Sequence, residues 1–238
     1  MAVYDGYAGR GRIGAGVAIK RLQASRMFND GLAYSSRVNA GVVEIGPGDG
    51  YIAELAIAAT LDYVGVEGNE AVSEKLQRLG YKMLQGYVPP LPVELGHGFR
   101  CCFMLHVLEH MKSPADAASV IGQVHDRLAP GGVLVVACPD YSRWGSHFFD
   151  CDYTHTYPVT RRRLNQLLLD QGFEVVKSTV YVGPVFGYLG LPISWIAKLL
   201  YWPVLDDLIG PRIFKDAINR GFLTFLPNLF TVARRPIT

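Results

Sequence analysis

The chain has 238 residues, of which 50% are hydrophobic and 18% are charged, and its formal net charge is +2. This length is enough for one large domain with a complete hydrophobic core. The charged fraction is below the roughly 25% of an average globular protein, and the small net charge provides no basic surface for nucleic acid. The composition favours an apolar, near-neutral enzyme domain and disfavours a nucleic-acid-binding protein.

The first twenty residues contain no apolar block, so no secretory signal is predicted. The four cysteines form no CxxC pair and are too sparse for a disulfide scaffold; they are Cys101, Cys102, Cys138 and Cys151. We therefore expect reduced thiols in a cytoplasmic protein.

Helices and strands are predicted to alternate from the first helix to about residue 183. The first half contains a helix at 12–36, a strand at 41–46, a helix at 50–60, a strand at 61–67 and a helix at 69–80 that ends on Gly80. Strands at 81–85 and 99–106, a helix at 114–128, a turn at 129–132, a strand at 133–139, a helix at 160–172 and a strand at 173–183 follow. This alternation is typical of βαβ units and a mostly parallel sheet.

The segment 184–226 breaks this alternation. It is rich in Leu, Ile, Trp and Tyr, but Pro192, Pro203 and Lys198 interrupt its apolar run. A transmembrane helix needs about 20 uninterrupted apolar residues, so the segment does not qualify as one. Two interpretations stay open: a helical cap over the open end of the sheet, or a membrane-surface helix pair with aromatic anchors in 184–210.

Three alternating glycines follow the first predicted strand in VVEIGPGDG, residues 42–50. Gly46, Gly48 and Gly50 lie where an open parallel sheet binds ligands, and glycine lets the backbone approach a ligand closely. A dinucleotide site would have GxGxxG spacing around a pyrophosphate. The GxGxG spacing beside Glu44 instead suits a ligand that carries an ammonium group.

A second acid, Glu67, ends the next predicted strand seventeen residues beyond Gly50. A carboxylate in this position can accept hydrogen bonds from ribose hydroxyls. A ligand that joins an amino acid to a nucleoside satisfies both Glu44 and Glu67, and this description fits S-adenosylmethionine.

Four stretches resemble the ordered motifs of class I S-adenosylmethionine-dependent methyltransferases over residues 38–180: VVEIGPGDG (42–50), YVGVEGN (63–69), MLHVLEHM (104–111) and LAPGGVLVVACPD (128–140). The terminal PNLFTVARRP resembles the last antiparallel strand of that fold. The resemblance implies a Rossmann-like α/β fold, with helices on both faces of a mostly parallel seven-stranded sheet and an apolar helical insertion before the last strand. The predicted single domain, 1–238, then comprises an N-terminal helical segment (1–37), a cofactor-binding core (38–183), the insertion (184–226) and the final strand (227–238).

The resemblance also implies roles for individual residues. The three glycines would line the methionine and ribose portions of S-adenosylmethionine, and Glu67 would hold the ribose. The complete predicted cofactor set is Glu44, Gly46, Gly48, Gly50, Glu67, Gly68, Gln85 and Leu105. The chain departs from the family in LQGYVPPLP, where Tyr87 stands in place of a frequent Asp, so Gln85 or the backbone would recognise adenine.

A second cluster, HVLEH at 106–110, follows a strand and is expected at the rim of the active site. If it is helical, positions 106, 109 and 110 share one face. With His155, these residues form a candidate metal set: His106, Glu109, His110 and His155. The set resembles the metal site of small-RNA 2′-O-methyltransferases and, for its first three positions, that of ubiquinone-pathway O-methyltransferases, although those families have Glu at the first position. Its histidines favour a borderline metal over magnesium.

The favoured interpretation of this cluster needs no metal. A hydroxyl acceptor must lose its proton during methyl transfer, and a histidine suits that role. His106 and His155 are therefore the catalytic candidates for O-methylation of a small-molecule, sugar or lipid-linked hydroxyl. A metal-assisted enzyme acting on RNA ends or on a quinone or catechol is the alternative, and purely structural hydrogen bonds are a third interpretation.

The expected partner is a small-molecule or lipid-linked acceptor. Nucleic acid is disfavoured because basic runs occur only at 161–163 and 234–235. The apolar segment 184–210 suggests a peripheral membrane contact. The glycine spacing and Glu44 disfavour an NAD-dependent oxidoreductase. The intact glycine loop and Glu67 disfavour a non-catalytic cofactor-binding subunit.

Overall fold

The computed structural model of the protein describes residues 14–36, 40–200 and 221–237. Eight strands within these residues form one sheet. The strands are β1 (Val42–Ile45), β2 (Tyr63–Glu67), β3 (Met83–Gln85), β4 (Phe99–Leu105), β5 (Leu128–Pro139), β6 (Glu174–Val182), β7 (Val185–Phe186) and β8 (Asn228–Arg234).

Helices connect most of these strands, and the longer ones lie where the sequence predicts them. They are α1 (Ala15–Tyr34), α2 (Tyr51–Ala58), α3 (Glu70–Arg78), α4 (Pro114–Arg127), α5 (Tyr141–Trp144), α6 (His147–Asp150), α7 (Arg161–Asp170) and α8 (Leu191–Leu200). The side chains of Asn69, Ser113 and Thr160 accept backbone N–H groups at the starts of α3, α4 and α7. These N-caps satisfy donors that the first helical turn leaves without partners.

The sheet order is β3-β2-β1-β4-β5-β8-β6-β7, and the strands from β3 to β5 run parallel. Strand β8 lies antiparallel between β5 and β6. The strand order reverses between β1 and β4, where Ile45 lies opposite Met104. The carboxyl ends of these two strands therefore border the crevice in which open α/β sheets bind ligands.

The predicted α/β architecture is confirmed, but the sheet has eight strands rather than seven. The extra strand, β7, lies in the segment 184–226 that was predicted to be helical throughout. Gly183 has φ +52°, and Val182 then pairs with Val185 across a two-residue turn. Glycine at the first central position of such a turn favours hairpin formation, so the chain folds back before the helix α8 begins.

The predicted turn at 129–132 is also wrong, because these residues lie inside β5. Phe99 pairs with Leu128, and Cys101 pairs with Val133. Between these two pairs β5 is therefore five residues long where β4 is two residues long, which makes a bulge in β5. Gly131, with φ +75°, lies in this bulge, and its N–H donates to the carbonyl of Arg235. The bulge keeps the strand continuous where the local sequence indicates a turn.

Two apolar layers cover the two faces of the sheet. On one face, α1, α2 and α3 contribute Ala24, Met27, Phe28, Ile52, Ala53, Ala56 and Leu76. On the other, α4 and α7 contribute Ala117, Val120, Ile121, Val124, Leu164 and Leu168. Helices on both faces are the predicted arrangement, and burial of the strands from both sides explains their nearly continuous apolar sequences.

The described part of the predicted insertion contains β7, a 3₁₀ turn (Tyr188–Gly190) and α8, whereas residues 201–220 lie outside the described residues. Phe222 and Leu226, near the end of the insertion, pack with Trp144 and Phe148 in a small separate core. Several apolar side chains of the insertion remain exposed, including Trp195 at 73% exposure. Within the described ranges, no helix is both long enough and apolar enough to span a bilayer.

Candidate functional site

The glycine loop follows β1 at the carboxyl edge of the sheet. Gly46, Gly48 and Gly50 have φ values of +69°, +54° and +80°, which side chains rarely adopt. A Cβ on Gly46 would lie 2.6 Å from Val107, and one on Gly50 would lie 2.8 Å from Leu76. A Cβ on Gly48 would meet no atom within 4 Å. Gly46 and Gly50 therefore allow close packing, whereas Gly48 borders open space that a ligand can occupy.

Glu67 ends β2 directly beside this loop. One carboxylate oxygen accepts a 2.8 Å hydrogen bond from the backbone N–H of Asn69. Burial raises the pKa of Glu67, while backbone hydrogen bonds from Asn69, Gly48 and Gly68 oppose that rise. The acid and the glycine loop thus face the same space, as a site for a ribose requires.

The end of β3 contacts the residue that follows Glu67. The Gln85 side-chain amide donates a 2.8 Å hydrogen bond to the carbonyl of Gly68. The Tyr87 ring lies over Gly68, since a Cβ there would come within 2.5 Å of the ring. Leu105 ends β4 and packs, partly buried, against the core formed with α1, α2 and α3. Glu67, Gly68 and Gln85 therefore lie together.

Glu44 is buried within β1, and the hydroxyl of Tyr63 on β2 donates a 2.7 Å hydrogen bond to it. Burial raises the pKa of Glu44 to about 8, the hydrogen bond from Tyr63 opposes the rise, and the charge of Glu67 adds to it. The carboxyl group thus already has a neutral partner. An ammonium group of a bound cofactor would have to approach this pair for the predicted role to hold.

His106 occupies the exit of β4 with φ +59°, a left-handed conformation that is uncommon for any residue except glycine. The predicted shared helical face does not form, because the 3₁₀ turn begins only at Leu108. His106 Nδ1 nevertheless lies 3.1 Å from the carboxylate of Glu109, and its Nε2 lies 2.8 Å from the hydroxyl of Tyr181. The side chain is 47% exposed, so both nitrogens are held at the surface of the crevice.

His110 and His155 lie together beside Glu109. Their ring centroids are 4.8 Å apart. Potential ligand atoms of Glu109, His110 and His155 all lie within 4.8 Å of one another. Among the described residues, His106 is not part of this group, so the predicted four-residue metal set is reduced to three. His106 contacts that group only through Glu109.

Opposing effects set the pKa values of Glu109 and His110 in this cluster. Burial raises the pKa of Glu109, but the hydrogen bond and charge of His106 and the charges of His110 and His155 outweigh it, so the pKa is lowered. Burial lowers the pKa of His110, and Glu109 opposes this while His155 adds to it. At neutral pH the cluster accordingly holds an ionised carboxylate beside a neutral imidazole.

The structure adds functional candidates that were not predicted. Tyr181, on β6, contacts His106, and Thr154 contacts His110 through a 2.9 Å hydrogen bond. The motif Asp-x-Thr in DYTHTYP indicates a side-chain-bonded turn and could have identified Thr154. Tyr181 lies 75 residues from His106. No local pattern marks that contact.

Comparison with known proteins supports the same family. The family described as "Methyltransferase domain" matches residues 20–178. No curated protein matches the chain by sequence. A solved S-adenosylmethionine-dependent methyltransferase from Archaeoglobus fulgidus superposes with a TM-score of 0.62 at 18% identity, covering 91% of this chain and 94% of its own.

Two further solved structures show how widely the fold is used. Magnesium protoporphyrin IX methyltransferase from Synechocystis PCC 6803 with bound S-adenosylhomocysteine superposes with a TM-score of 0.62 at 12% identity, covering 98% of this chain and 92% of that one. The [4+2]-cyclase SpnF superposes with a TM-score of 0.59 at 16% identity, covering 90% and 81%. At these identities only the fold is shared, whereas the family match covers well over half of the sequence. The chain therefore belongs to the family of methyltransferase domains, with the class I fold of the S-adenosylmethionine-dependent enzymes.

Proposed function

We propose that this methyltransferase transfers a methyl group from S-adenosylmethionine to a hydroxyl oxygen, with His106 as the proton acceptor. The observation that carries the proposal is the double hydrogen bonding of His106, to Glu109 through Nδ1 and to Tyr181 through Nε2. His106 lies at the exit of β4, next to the glycine loop. Its neighbour in sequence, Val107, packs on Gly46 of that loop. A base in this place can reach an acceptor bound beside the cofactor.

The described residues fit the cofactor. The open space at Gly48 and the adjacent Glu67 suit the ribose, and Gln85 with Gly68 forms the neighbouring wall. When bound, S-adenosylmethionine supplies a methyl group on a positively charged sulfur that departs as a neutral thioether. The residues therefore need to align the acceptor and exclude water.

Proton removal is the task left to the side chains. The carboxylate of Glu109 can only accept a hydrogen bond, so His106 Nδ1 carries the hydrogen and a neutral ring presents Nε2 as the basic nitrogen. An acceptor hydroxyl that takes the place of the Tyr181 hydroxyl would donate to that nitrogen. As the O–C bond forms, the proton passes to Nε2 and the Glu109 carboxylate stabilises the imidazolium.

His155 is the second candidate base. It lies with His110, and its Nδ1 is 2.7 Å from the carbonyl of Phe148. Its intermediate exposure makes it less accessible to an acceptor than the exposed His106. We therefore assign the direct role to His106 and test His155 alongside it.

The proposed acceptor is apolar or lipid-linked. The 3₁₀ turn and α8 leave large apolar side chains exposed, among them Leu189, Trp195, Ile196 and Leu199. Such a surface suits an apolar acceptor or a peripheral contact with a membrane that contains it. Magnesium protoporphyrin IX methyltransferase has the same fold and is named for a large macrocyclic substrate.

The test supplies the purified protein with S-adenosylmethionine labelled in its methyl group. The acceptors are a panel of phenols, sugars and lipid-linked alcohols, and mass spectrometry locates the label. Label on oxygen, lost in His106→Asn, supports the proposal. Label on nitrogen or carbon only would contradict it. Tight binding of S-adenosylhomocysteine with no transfer to any acceptor would favour a cofactor-binding subunit, and binding of NADH instead would favour an oxidoreductase.

A further inference from the structure

The buried carboxylate of Glu109 has one oxygen without a partner. Its Oε1 lies 3.1 Å from His106 Nδ1, whereas its buried Oε2 has no hydrogen-bond partner. Glu109 is 1% exposed. A buried acceptor atom with no donor is costly and uncommon in native proteins, so it points to a missing ligand.

Two histidines, His110 and His155, lie close to this carboxylate, and each offers a ring nitrogen as a potential ligand. His155 Nδ1 lies 2.7 Å from the carbonyl of Phe148, which can only accept, so this nitrogen carries the hydrogen. His110 Nδ1 lies 2.9 Å from the hydroxyl of Thr154, whose own hydrogen goes to Asp152 at 2.6 Å. His110 Nδ1 is therefore the donor in that contact. In the neutral form of each ring, Nε2 is then the nitrogen with a lone pair to offer.

The geometry points to a divalent transition-metal site formed by Glu109, His110 and His155. Its ligands would be Glu109 Oε2 and the Nε2 atoms of both histidines, a two-histidine, one-carboxylate set. Such sets bind zinc and other borderline metals and leave a coordination position for water or substrate. The inference does not depend on which acceptor is methylated.

The surrounding hydrogen bonds are those of a metal site. Metal-binding histidines usually donate their second ring N–H to a carbonyl or a carboxylate-linked group, and this fixes the tautomer. The carbonyl of Phe148 accepts the N–H of His155. The hydroxyl of Thr154, which itself donates to Asp152, accepts the N–H of His110. Potential ligand atoms of the three residues lie within 4.8 Å of one another, and metal bonds of about 2.0–2.2 Å would draw them closer together.

The backbone holds the two halves of the site together. The N–H groups of Thr156 and Tyr157 both donate to the carbonyl of Glu109 at 3.0 Å. The hydroxyl of Thr156 donates to the carbonyl of Met111. These bonds fasten the loop that carries His155 to the 3₁₀ turn that carries Glu109 and His110. The ligand set is thereby built from two rigidly joined segments, which favours a preorganised site.

The test measures metal binding in the absence of cofactor and acceptor. Chelator-treated wild-type protein is titrated with Zn²⁺ against a chromophoric chelator, and with Co²⁺ while its visible absorption is followed. We expect one ion per chain and a rise in Tm on adding Zn²⁺, because an ion that binds only the folded state stabilises it.

The variants keep the hydrogen bonds and remove the ligands. In His110→Asn and His155→Asn the amide can replace the Nδ1 donor but offers no Nε2, and Glu109→Gln keeps the contact with His106 without the charge. Each of these variants should lower Zn²⁺ affinity by at least about 100-fold. Thr154→Val removes the hydroxyl that accepts from His110 and should lower Zn²⁺ affinity by about 10–100-fold. His97→Ala, at an exposed position, should bind as wild type.

Equal affinity in the wild type and in His155→Asn would overturn the inference, and so would the absence of a stoichiometric site in the folded wild type. Circular dichroism identifies any variant that fails to fold, and the remaining variants still decide the outcome. Because no methyl transfer is measured, failure here is distinct from failure of the proposed hydroxyl methylation.

Discussion

The hydroxyl of Tyr181 lies 2.8 Å from His106 Nε2 and joins the end of β6 to the exit of β4. Tyr181 is 1% exposed, whereas the His106 side chain is 47% exposed. The buried phenol thus orients an imidazole that solvent and substrate can reach. His106 is held by this contact and by Glu109, on opposite sides of the ring.

Removing the phenol hydroxyl should help the acceptor to bind without affecting the cofactor. We expect Tyr181→Phe to lower the KM for the acceptor about 5-fold, because the acceptor no longer has to displace a hydrogen bond worth roughly 1 kcal/mol from His106 Nε2. Affinity for S-adenosylhomocysteine, measured by calorimetry, should stay unchanged. Tyr153→Phe is the matched control, because Tyr153 is 82% exposed. An equal KM for the acceptor in both variants would show that the Tyr181 hydroxyl does not compete with the acceptor for His106.

Removing the imidazole should have a larger effect. His106→Asn should lower turnover by about two to four orders of magnitude, the usual contribution of a positioned general base. Asn is the better replacement than Ala because it tolerates the left-handed backbone at φ +59°. Cofactor affinity should change little. Wild-type turnover in this variant, together with a large loss in His155→Asn, would transfer the base role to His155.

The glycine loop offers a comparison between two glycines with the same backbone demand. Gly48 and Gly80 both have positive φ, and a Cβ on either would meet no atom within 4 Å. Alanine at either position should therefore cost about 1–2 kcal/mol of folding stability. Only Gly48→Ala should weaken S-adenosylhomocysteine binding, because only that methyl group enters the space assigned to the ligand. Equal affinities in the two variants would remove Gly48 from the site.

The second-strand acid should contribute directly to cofactor affinity. Glu67→Ala should weaken S-adenosylhomocysteine binding by roughly 1–3 kcal/mol, the cost of losing charge-assisted hydrogen bonds to ribose. Glu74→Ala serves as the control, since Glu74 forms an exposed ion pair with Arg78. Calorimetric titration of both variants with S-adenosylhomocysteine measures the difference in affinity. Normal binding by Glu67→Ala would mean that the ribose lies elsewhere.

The buried Glu44 should make folding stability depend on pH. Its pKa of about 8 in the folded protein lies above the ordinary glutamate pKa of 4.5. The protonated form is thus favoured in the folded state, and its contribution is fully present below about pH 4.5 and is lost as the pH rises through about 8. Glu44→Gln mimics the protonated group.

We therefore expect the free energy of unfolding of Glu44→Gln to exceed that of the wild type increasingly as the pH rises from about 5 to 9. Urea denaturation at several pH values measures this difference. A constant difference between the two proteins across this range would show that Glu44 does not titrate with a raised pKa.

Much of the fold, and the placement of the predicted cofactor residues Gly48 and Glu67, follows from local sequence patterns. The alternation of apolar strands with capped helices predicts the parallel sheet, because burial on both faces requires continuous apolar strands. The positions of Gly48 and Glu67 at consecutive strand ends predict their proximity, since parallel strands end at one edge of the sheet. The structure places both at that edge, as expected.

The tertiary structure alone decided how the remaining polar groups pair. His106 contacts Tyr181 rather than His155, and Glu44 contacts Tyr63. The bulge in β5 and the hairpin that forms β7 likewise depend on pairing with distant strands. Periodicity and spacing describe neighbours along the chain, whereas these contacts join residues that only the packed sheet and its loops bring together. For this reason the sequence identified the histidines as candidates, and the fold separates His106, which contacts Tyr181, from the neighbouring pair His110 and His155.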